Sequence, residues 1–412
     1  MAHVYVGVDI HRRTHTATII NCFFEKLGEI TFRNRPSEFP MLEAEVAKHT
    51  AGGLTPIYGL EECASLGREL TVYLLGKRHT VKYVNPSLAK SERNSQASLH
   101  KTDSFDSLCV ARVLLAKLGT LPDARTDDRL FALNELVTKR SYLVKMSVAL
   151  KNQLHNHISH HYPSYKQFFS AFECKTALAF WENYPSPRKL KEAGLIGLTK
   201  LLQEESHHFY ALDKACEIFA SVEEDGYMGN EMQDTCDFIV TLSVKQLREV
   251  YEYIALLDEK IKGLLPSFGY KLHTMKGISH TTAAALIVEI GDIDRFKTSS
   301  QLAAYAGVSP AEYSSGLSER NISNKRGNRN LNKLLFFLAV SQINDHGPKG
   351  GPFNGIFAEY YQKKMAEGKT KKQAIKCVER RLINIIFRLM KDRCEYKPPA
   401  LPCEKSLPQK IV

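Results

Sequence analysis

The feature that most constrains the fold is the order of hydrophobic periods over the first hundred residues. Residues 4–10 (VYVGVDI) are an apolar run of strand length. Residues 16–24 and 29–34 read as two more strands, so the three form an antiparallel meander. Ser37 stands where it can cap a helix running to about residue 49. A fourth strand spans 55–61 (TPIYGLE), a helix follows over roughly 65–77, and a fifth strand spans 81–84 before Asn85-Pro86. A polar, basic loop then leads to about residue 100, and a helix opens at Lys101-Thr102-Asp103.

Carboxylates punctuate this order. Asp9 ends the first strand inside an apolar run, where an unpaired charge is costly. Glu61 ends the fourth, and Asp103 and Asp106 stand three apart, on one face of a helix. An Asp-x-x-Asp pair alone mostly faces solvent or favours a helix N-terminus. Three strands, helix, strand, helix, strand, helix, however, is the order of the ribonuclease-H-like fold. That fold brings the ends of the first and fourth strands and the last helix to one sheet edge. Asp9, Glu61, Asp103 and Asp106 are therefore expected to converge, with Mg²⁺ or Mn²⁺ as the counter-charge that oxygen ligands favour. Two such ions can clamp the attacking and leaving oxygens of a phosphodiester. Glu62 is the neighbouring alternative, and strand alternation favours Glu61.

A chain of 412 residues exceeds one ordinary core, and its net charge of +11 favours a polyanionic partner. Residues 363–393 hold eleven Lys or Arg against three Asp or Glu, with apolar positions at helical spacing. They read as one amphipathic basic helix, cationic outward, contacting phosphate or simply solvated. Nine scattered cysteines without a Cys-x-x-Cys suggest neither a zinc ribbon nor a disulfide framework. No secretory leader and no bilayer-spanning run are read, so the expected location is the cytoplasm, at the nucleoid when active.

Beyond the first domain, residues 129–160 carry a leucine repeat and 247–265 a heptad seam of Leu247, Val250, Ile254, Leu257, Ile261 and Leu264. Two long helices packed antiparallel as a stalk are expected. Residues 162–240 read as a helical insert, broken near Pro185 and Pro187, with Trp181 in its core. His155, His157, His160 and His161 suggest a polar helix end before a metal site. From Met275 the chain resembles a helix-hairpin-helix, whose turn at Lys276-Gly277 offers backbone N–H groups to a phosphate. Tyr313-Ser314-Ser315-Gly316 reads as a polar loop ahead of the basic turn Lys325-Arg326-Gly327-Asn328-Arg329. A serine beside such cations gains a reading as a nucleophile.

Four pieces together resemble the DEDD transposases of bacterial insertion sequences, the IS110 family. They are Gly7-Val8-Asp9-Ile10, Gly59-Leu60-Glu61, Lys101-Thr102-Asp103-Ser104-Phe105-Asp106, and Ala306–Pro310 with Tyr313-Ser314-Ser315-Gly316. The resemblance implies a RuvC-like domain over 1–125, a helical stalk with insert over 126–270, a mainly α serine domain over 271–395, and a tail over 396–412. It implies Mg²⁺ on Asp9, Glu61, Asp103 and Asp106, and Ser315 as the nucleophile that links the protein to DNA. It also implies a structured guide (bridge) RNA, donor and target DNA, and a homodimer assembling to a tetramer, with one subunit's RuvC-like domain serving another's serine. Lys101, Lys276, Gly277, Lys325, Arg326 and Arg329 are the expected nucleic-acid contacts. Two departures stand out: Glu62-Cys63-Ala64 follows Glu61 where relatives carry a small residue and glycine, and Ser314 adjoins Ser315.

Other classes fit less well. A metal-dependent nuclease or junction resolvase would use the same carboxylates but has no need of residues 275–395. An actin-like ATPase also opens on Gly-Val-Asp, yet no later Asp-x-Gly-Gly phosphate loop follows. An RNA-binding module would explain the charge and leave the carboxylates unexplained.

Overall fold

The computed structural model describes residues 3–50, 52–61, 65–95, 102–229, 231–309, 327–344 and 353–398, and the backbone of two strands between 311 and 322. The chain divides into two compact units, 1–132 and 133–412.

The first unit runs β1 (His3–Ile10), β2 (Thr14–Ile20), β3 (Lys26–Arg33), α1 (Phe39–Ala47), β4 (Thr55–Leu60), α2 (Arg68–Gly76), β5 (Thr80–Tyr83), α3 (Pro86–Ser95) and α4 (Asp103–Lys117). Its sheet has the order β3-β2-β1-β4-β5. The first three strands pair antiparallel, and β4 and β5 join parallel. Alternation assigns the two faces. Val4, Val6 and Val8 pack with Phe39, Leu42, Leu70 and Leu74 of α1 and α2. Tyr5, Ile20 and Ile57 pack with Ala89 of α3 and with Val110 and Leu114 of α4. The sheet thus lies between two helical layers, each covering one apolar face.

Gly7 lets α4 approach β1. A Cβ there would lie 2.2 Å from the Ala111 nitrogen and 2.4 Å from the Ser107 carbonyl oxygen, both backbone atoms that cannot step aside. Gly7→Ala is expected to destabilise the first unit by about 3 kcal/mol, the upper end of what over-packing costs. The urea midpoint measures it; an unchanged midpoint would mean that α4 is not seated this closely.

Three local readings change. β2 stops at Ile20 instead of running to 24, because the Asn21 side chain accepts from the Phe23 and Glu25 amides and turns the chain. Ser37 does not cap α1; it lies inside a 3-10 turn, Pro36–Glu38, that precedes the helix. The stretch after Pro86 is helical up to Ser95, with Asn85 Oδ1 accepting from the Ser87 amide at its start.

In the second unit α5 (Asp128–His161), which begins at the unit boundary, is followed by α6 (Lys175–Asn183), α7 (Pro187–Ser206), α8 (Leu212–Asp225) and α9 (Gln233–Leu264). α5 and α9 pack antiparallel. Arg140 is ion-paired with Asp258, while Leu154 and Ile158 share a core with Val240, Val244 and Leu247. The heptad seam faces inward: Leu247, Val250 and Ile261 are buried, and Ile254, Leu257 and Leu264 half-buried. α6, α7 and α8 gather around Trp181, whose indole donates to the Phe172 carbonyl at 3.2 Å.

The chain continues as α10 (His280–Ile290), α11 (Ser299–Tyr305), β6 (Ala311–Ser315), β7 (Ser318–Ile322), α12 (Arg329–Ile343), α13 (Gly355–Ala366) and α14 (Lys371–Lys391). Between α9 and α10 stand two 3-10 turns, Leu265–Phe268 and Leu272–Thr274, in place of a full first hairpin helix. The loop expected around Tyr313 contains paired strands. Ser314 lies opposite Glu319 and Ser315 opposite Ser318. The basic helix expected over 363–393 is two helices, broken where Gly368 adopts φ +82° and Thr370 forms a capping box with Gln373. Among the described residues no helix is long and apolar enough to cross a membrane.

Candidate active site

Two strands and one helix build the site. The register Gly7↔Gly59 and Val8↔Leu60, carried on by one residue, sets Glu61 beside Asp9. Both continue the alternation that faces α4, after Gly7 on one strand and Gly59 on the other. α4 opens at Thr102, whose side chain accepts from the Phe105 amide at 3.2 Å. Asp103 and Asp106 fall in its first turn, where the helix dipole favours negative charge. Hydroxyls fix this turn on the sheet: Thr18 Oγ1 and Ser107 Oγ are 2.7 Å apart, and Ser104 Oγ donates to Glu29.

A histidine and an arginine stand among the carboxylates. His11 Nε2 lies 3.0 Å from Asp9 Oδ2 and 3.3 Å from Asp103 Oδ1. Arg93 Nε, on α3, lies 2.7 Å from Asp106 Oδ1. Asp9 and Asp106 are each 6% exposed, so both charges are nearly removed from water. Burial raises the Asp9 carboxyl above its usual range; His11 opposes this, and Asp106 and Asp103 add to it. Burial likewise pushes Glu61 up to about 7, with the Asp9 charge next and Arg93 opposing.

Asp9 Oδ2, Glu61 Oε1 and Asp106 Oδ1 are buried and accept no aligned hydrogen bond. Buried carboxylate oxygens in that condition are under-compensated. A hard divalent cation would satisfy such oxygens, and the donor set around Asp9, which includes neither Glu61 nor Asp106, fits one. Asp9, His11 and Asp103 each offer a donor atom within 4.8 Å of the others.

Neither His11 nor Arg93 was among the residues expected from sequence. His11 had a signal: it stands two residues after Asp9 at the strand end, the spacing that returns a side chain to the same face. Arg93 was hidden by reading 86–100 as a loop; Pro86 at the first helical position was the missed cue.

The remaining expected residues lie in the second unit or outside the description. Ser315 ends β6. Gly307 and Gly327 flank the hairpin in sequence and touch: a Cβ on Gly327 would lie 2.3 Å from the Gly307 nitrogen. Asn328 secures this base, with its amide donating to Tyr305 O at 2.7 Å and its side chain to Glu289 at 2.9 Å. Lys276 is exposed and stands over the Phe353 ring at 4.9 Å; Gly277 has φ +92°. Arg329 is exposed at the start of α12. Glu62, Lys101, Lys325 and Arg326 lie outside the described residues. Part of the basic surface expected on α14 is turned inward. Lys376 pairs with the buried Glu379, Arg380 donates to the Ser299 carbonyl, and Lys391 pairs with Asp294.

Comparison with known proteins places these features together. A profile of the DEDD transposases of the IS110 type, described as "Transposase", matches residues 6–163. A second, described as "Transposase IS116/IS110/IS902 family", matches residues 269–362. Relatives align along almost the whole chain. The IS110 insertion-element 43.6 kDa protein of Streptomyces coelicolor is 25% identical over 399 residues, 96% of this chain and 95% of that one. The IS116 insertion-element 44.8 kDa protein of Streptomyces clavuligerus is 22% identical, covering 96% of each chain. A pilin gene-inverting protein of Moraxella lacunata is 23% identical, covering 95% of this chain and 97% of its own. With a ribonuclease-H-like sheet carrying an acidic edge and both profiles matched in order, the chain belongs to the IS110 family of DEDD transposases, enzymes that recombine DNA.

Proposed function

We propose that this transposase cuts and rejoins DNA through Ser315, with Asp9, Glu61, Asp103 and Asp106 holding Mg²⁺ or Mn²⁺ and a structured RNA choosing the sites. The observation that carries the reading is the acidic edge: buried carboxylate oxygens without aligned hydrogen bonds, at the ends of β1 and β4 and the start of α4. Bound there, divalent ions would polarise the attacking hydroxyl and neutralise charge on the phosphate.

In the proposed step the Ser315 oxygen bonds to phosphorus as the bond from phosphorus to one deoxyribose oxygen breaks. The serine proton passes to water, and the departing sugar oxygen takes one up. Attack by the sugar hydroxyl of the other DNA reverses the step and restores the serine, so no outside energy source is needed. Asp9, Glu61, Asp103 and Asp106 orient the charge; Lys276, Gly277, Arg329, Lys101, Lys325 and Arg326 hold backbone phosphates. The three-part division at 126 and 271, the dimer that assembles to a tetramer, and action at the nucleoid belong to the same reading. Inversion of a DNA segment, which the Moraxella relative is named for, is the same cut-and-rejoin chemistry with both sites on one molecule.

The test is to sequence the RNA retained by the purified protein. Donor and target DNA that pair with it are then supplied with Mg²⁺, and products are run on a denaturing gel. A protein-linked DNA species that needs both RNA and metal supports the reading. Free DNA ends with no linked species would replace it with a plain nuclease.

Glu61 supplies a pH prediction. Its carboxyl, pushed up to about 7 by burial, holds a proton at pH 6 in the metal-free protein. Its raised value adds stability to the metal-free fold below the ordinary glutamate range, lost as the pH rises through 7. Metal affinity should run the other way, rising between pH 6 and 8 with release of close to one proton at pH 6. Calorimetry in buffers of different ionisation enthalpy measures this, and Glu61→Gln should remove the release.

A further inference from the structure

We propose that His11 is itself a metal ligand. Its Nε2 joins Asp9 and Asp103 around one divalent ion and biases that half of the site toward a first-row transition ion such as Mn²⁺ over Mg²⁺. The proposal rests on the divalent-cation reading of the carboxylates and adds a nitrogen donor to it.

Spacing carries the argument. Donors about 2.1 Å from one ion and at right angles around it lie roughly 3 Å from each other. His11 Nε2 is 3.0 Å from Asp9 Oδ2 and 3.3 Å from Asp103 Oδ1. The three donor atoms lie within 4.8 Å of one another, the only such His, Cys, Asp or Glu group among the described residues. Asp9 is 6% exposed and its Oδ2 accepts no aligned hydrogen bond, although the imidazole stands beside it. An ion pair alone leaves that oxygen under-compensated; an ion held between oxygen and nitrogen satisfies both.

The backbone places the imidazole there. Asp9 lies on β1 and faces α4, and His11, two residues on, returns to that face just beyond the strand end. Its side chain is 49% exposed, so an ion can reach Nε2 from solvent. The other half of the site is different: beside Asp106 stands Arg93, and a guanidinium donates hydrogen bonds and cannot be a ligand. The two halves are therefore chemically unequal, one with oxygen and nitrogen donors and one with oxygens alone. Imidazole suits transition ions, whereas carboxylate-only sites suit Mg²⁺. Coordination uses the Nε2 lone pair of the imidazole, with the ring's proton on Nδ1.

The experiment uses the untagged full-length protein loaded with Mn²⁺ in a buffer without nitrogen ligands, and reads electron spin-echo modulation. Directly bound imidazole nitrogen should appear in the wild type and vanish in His11→Ala. Mn²⁺ should bind that variant roughly 10–100-fold more weakly, at least the loss seen when a ligand's supporting partner is removed. Mg²⁺ affinity, read by competition, should fall less. His11→Asp, which supplies oxygen, should recover binding and shift the preference back toward Mg²⁺. Mn²⁺ bound without nitrogen modulation, or with modulation that survives His11→Ala, overturns the role of His11 and leaves the carboxylate site standing. A wild type that binds no Mn²⁺ at all, like Asp9→Asn, overturns the carboxylate reading and this proposal together.

Discussion

Asp106→Ala is expected to lower strand cleavage and joining by at least about 10³-fold, the scale of removing one charge-stabilising group from a reacting centre, in a protein that still folds. Two opposed effects keep the fold. Truncation takes from Arg93 the carboxylate that lies 2.7 Å from its Nε, and a cation left without its partner costs stability. It also removes a negative charge that raises both the Asp9 and the Glu61 carboxyls, so crowding at the edge is relieved. The Arg93 side chain is one-quarter exposed and can turn its head to water. The metal-free melting midpoint should therefore move by no more than about 4 °C. Added Mn²⁺ should raise the midpoint of the wild type by mass action and raise that of the variant less, because Asp9, His11 and Asp103 remain to hold one ion. Calorimetry with and without metal, beside the gel assay, measures both; activity within tenfold of wild type would remove Asp106 from the site.

The acidic edge was legible because strand ends and helix starts are local. Val4-Tyr5-Val6-Gly7-Val8 can only be a buried strand, and Thr102 followed by Asp103 and Asp106 marks a helix start by capping and charge. The convergence of Asp9 with Glu61 came from the order of elements, which fixes which strand ends share an edge. What escaped was what depends on exact boundaries. Arg93 reaches Asp106 only because residues 86–95 are helical, and a basic, polar run offers little apolar period to reveal that. The seam of α9 was visible in its heptads, but its start at Gln233, well ahead of Leu247, was not; packing against the insert core through Val240 and Val244 extends the helix.

The second unit shows the same limit in sheet form. Tyr313-Ser314-Ser315 and Ser318-Glu319-Arg320 have too few apolar residues to announce strands, and glycine with serine suggests a loop. In sequence only Gly316 and Leu317 stand between them, and a two-residue connection opening on glycine is the mark of a tight hairpin. The basic helix was misread in the opposite direction. Its charge and apolar spacing run on past Gly368, but the left-handed conformation there and the capping box at Thr370 end one helix and begin the next. Lys376, Arg380 and Lys391 then bind groups of the same unit, so net charge overstated the cationic surface left for nucleic acid.

Ser315→Ala is expected to abolish the protein–DNA adduct altogether while RNA and DNA still bind. The serine ends β6, in a hairpin whose flanking residues meet at Gly307 and Gly327 and are tied down by Asn328. Backbone paired in a strand is more ordered than a free loop, and orienting a nucleophile is worth orders of magnitude in rate. On the proposed mechanism the carboxylates cannot make good the loss, because they hold the metal and do not take up the phosphoryl group. Ser314→Ala should keep some adduct, since it leaves the attacking oxygen in place. The two variants, trapped on DNA with RNA and Mg²⁺ and resolved on a denaturing gel, separate the cases. An adduct from Ser315→Ala but none from Ser314→Ala moves the nucleophile by one residue. Adducts from both, and from the double variant, would reject these serines as the nucleophile, and DNA cut by the wild type with no adduct at all would leave hydrolysis at the acidic edge as the chemistry of this enzyme.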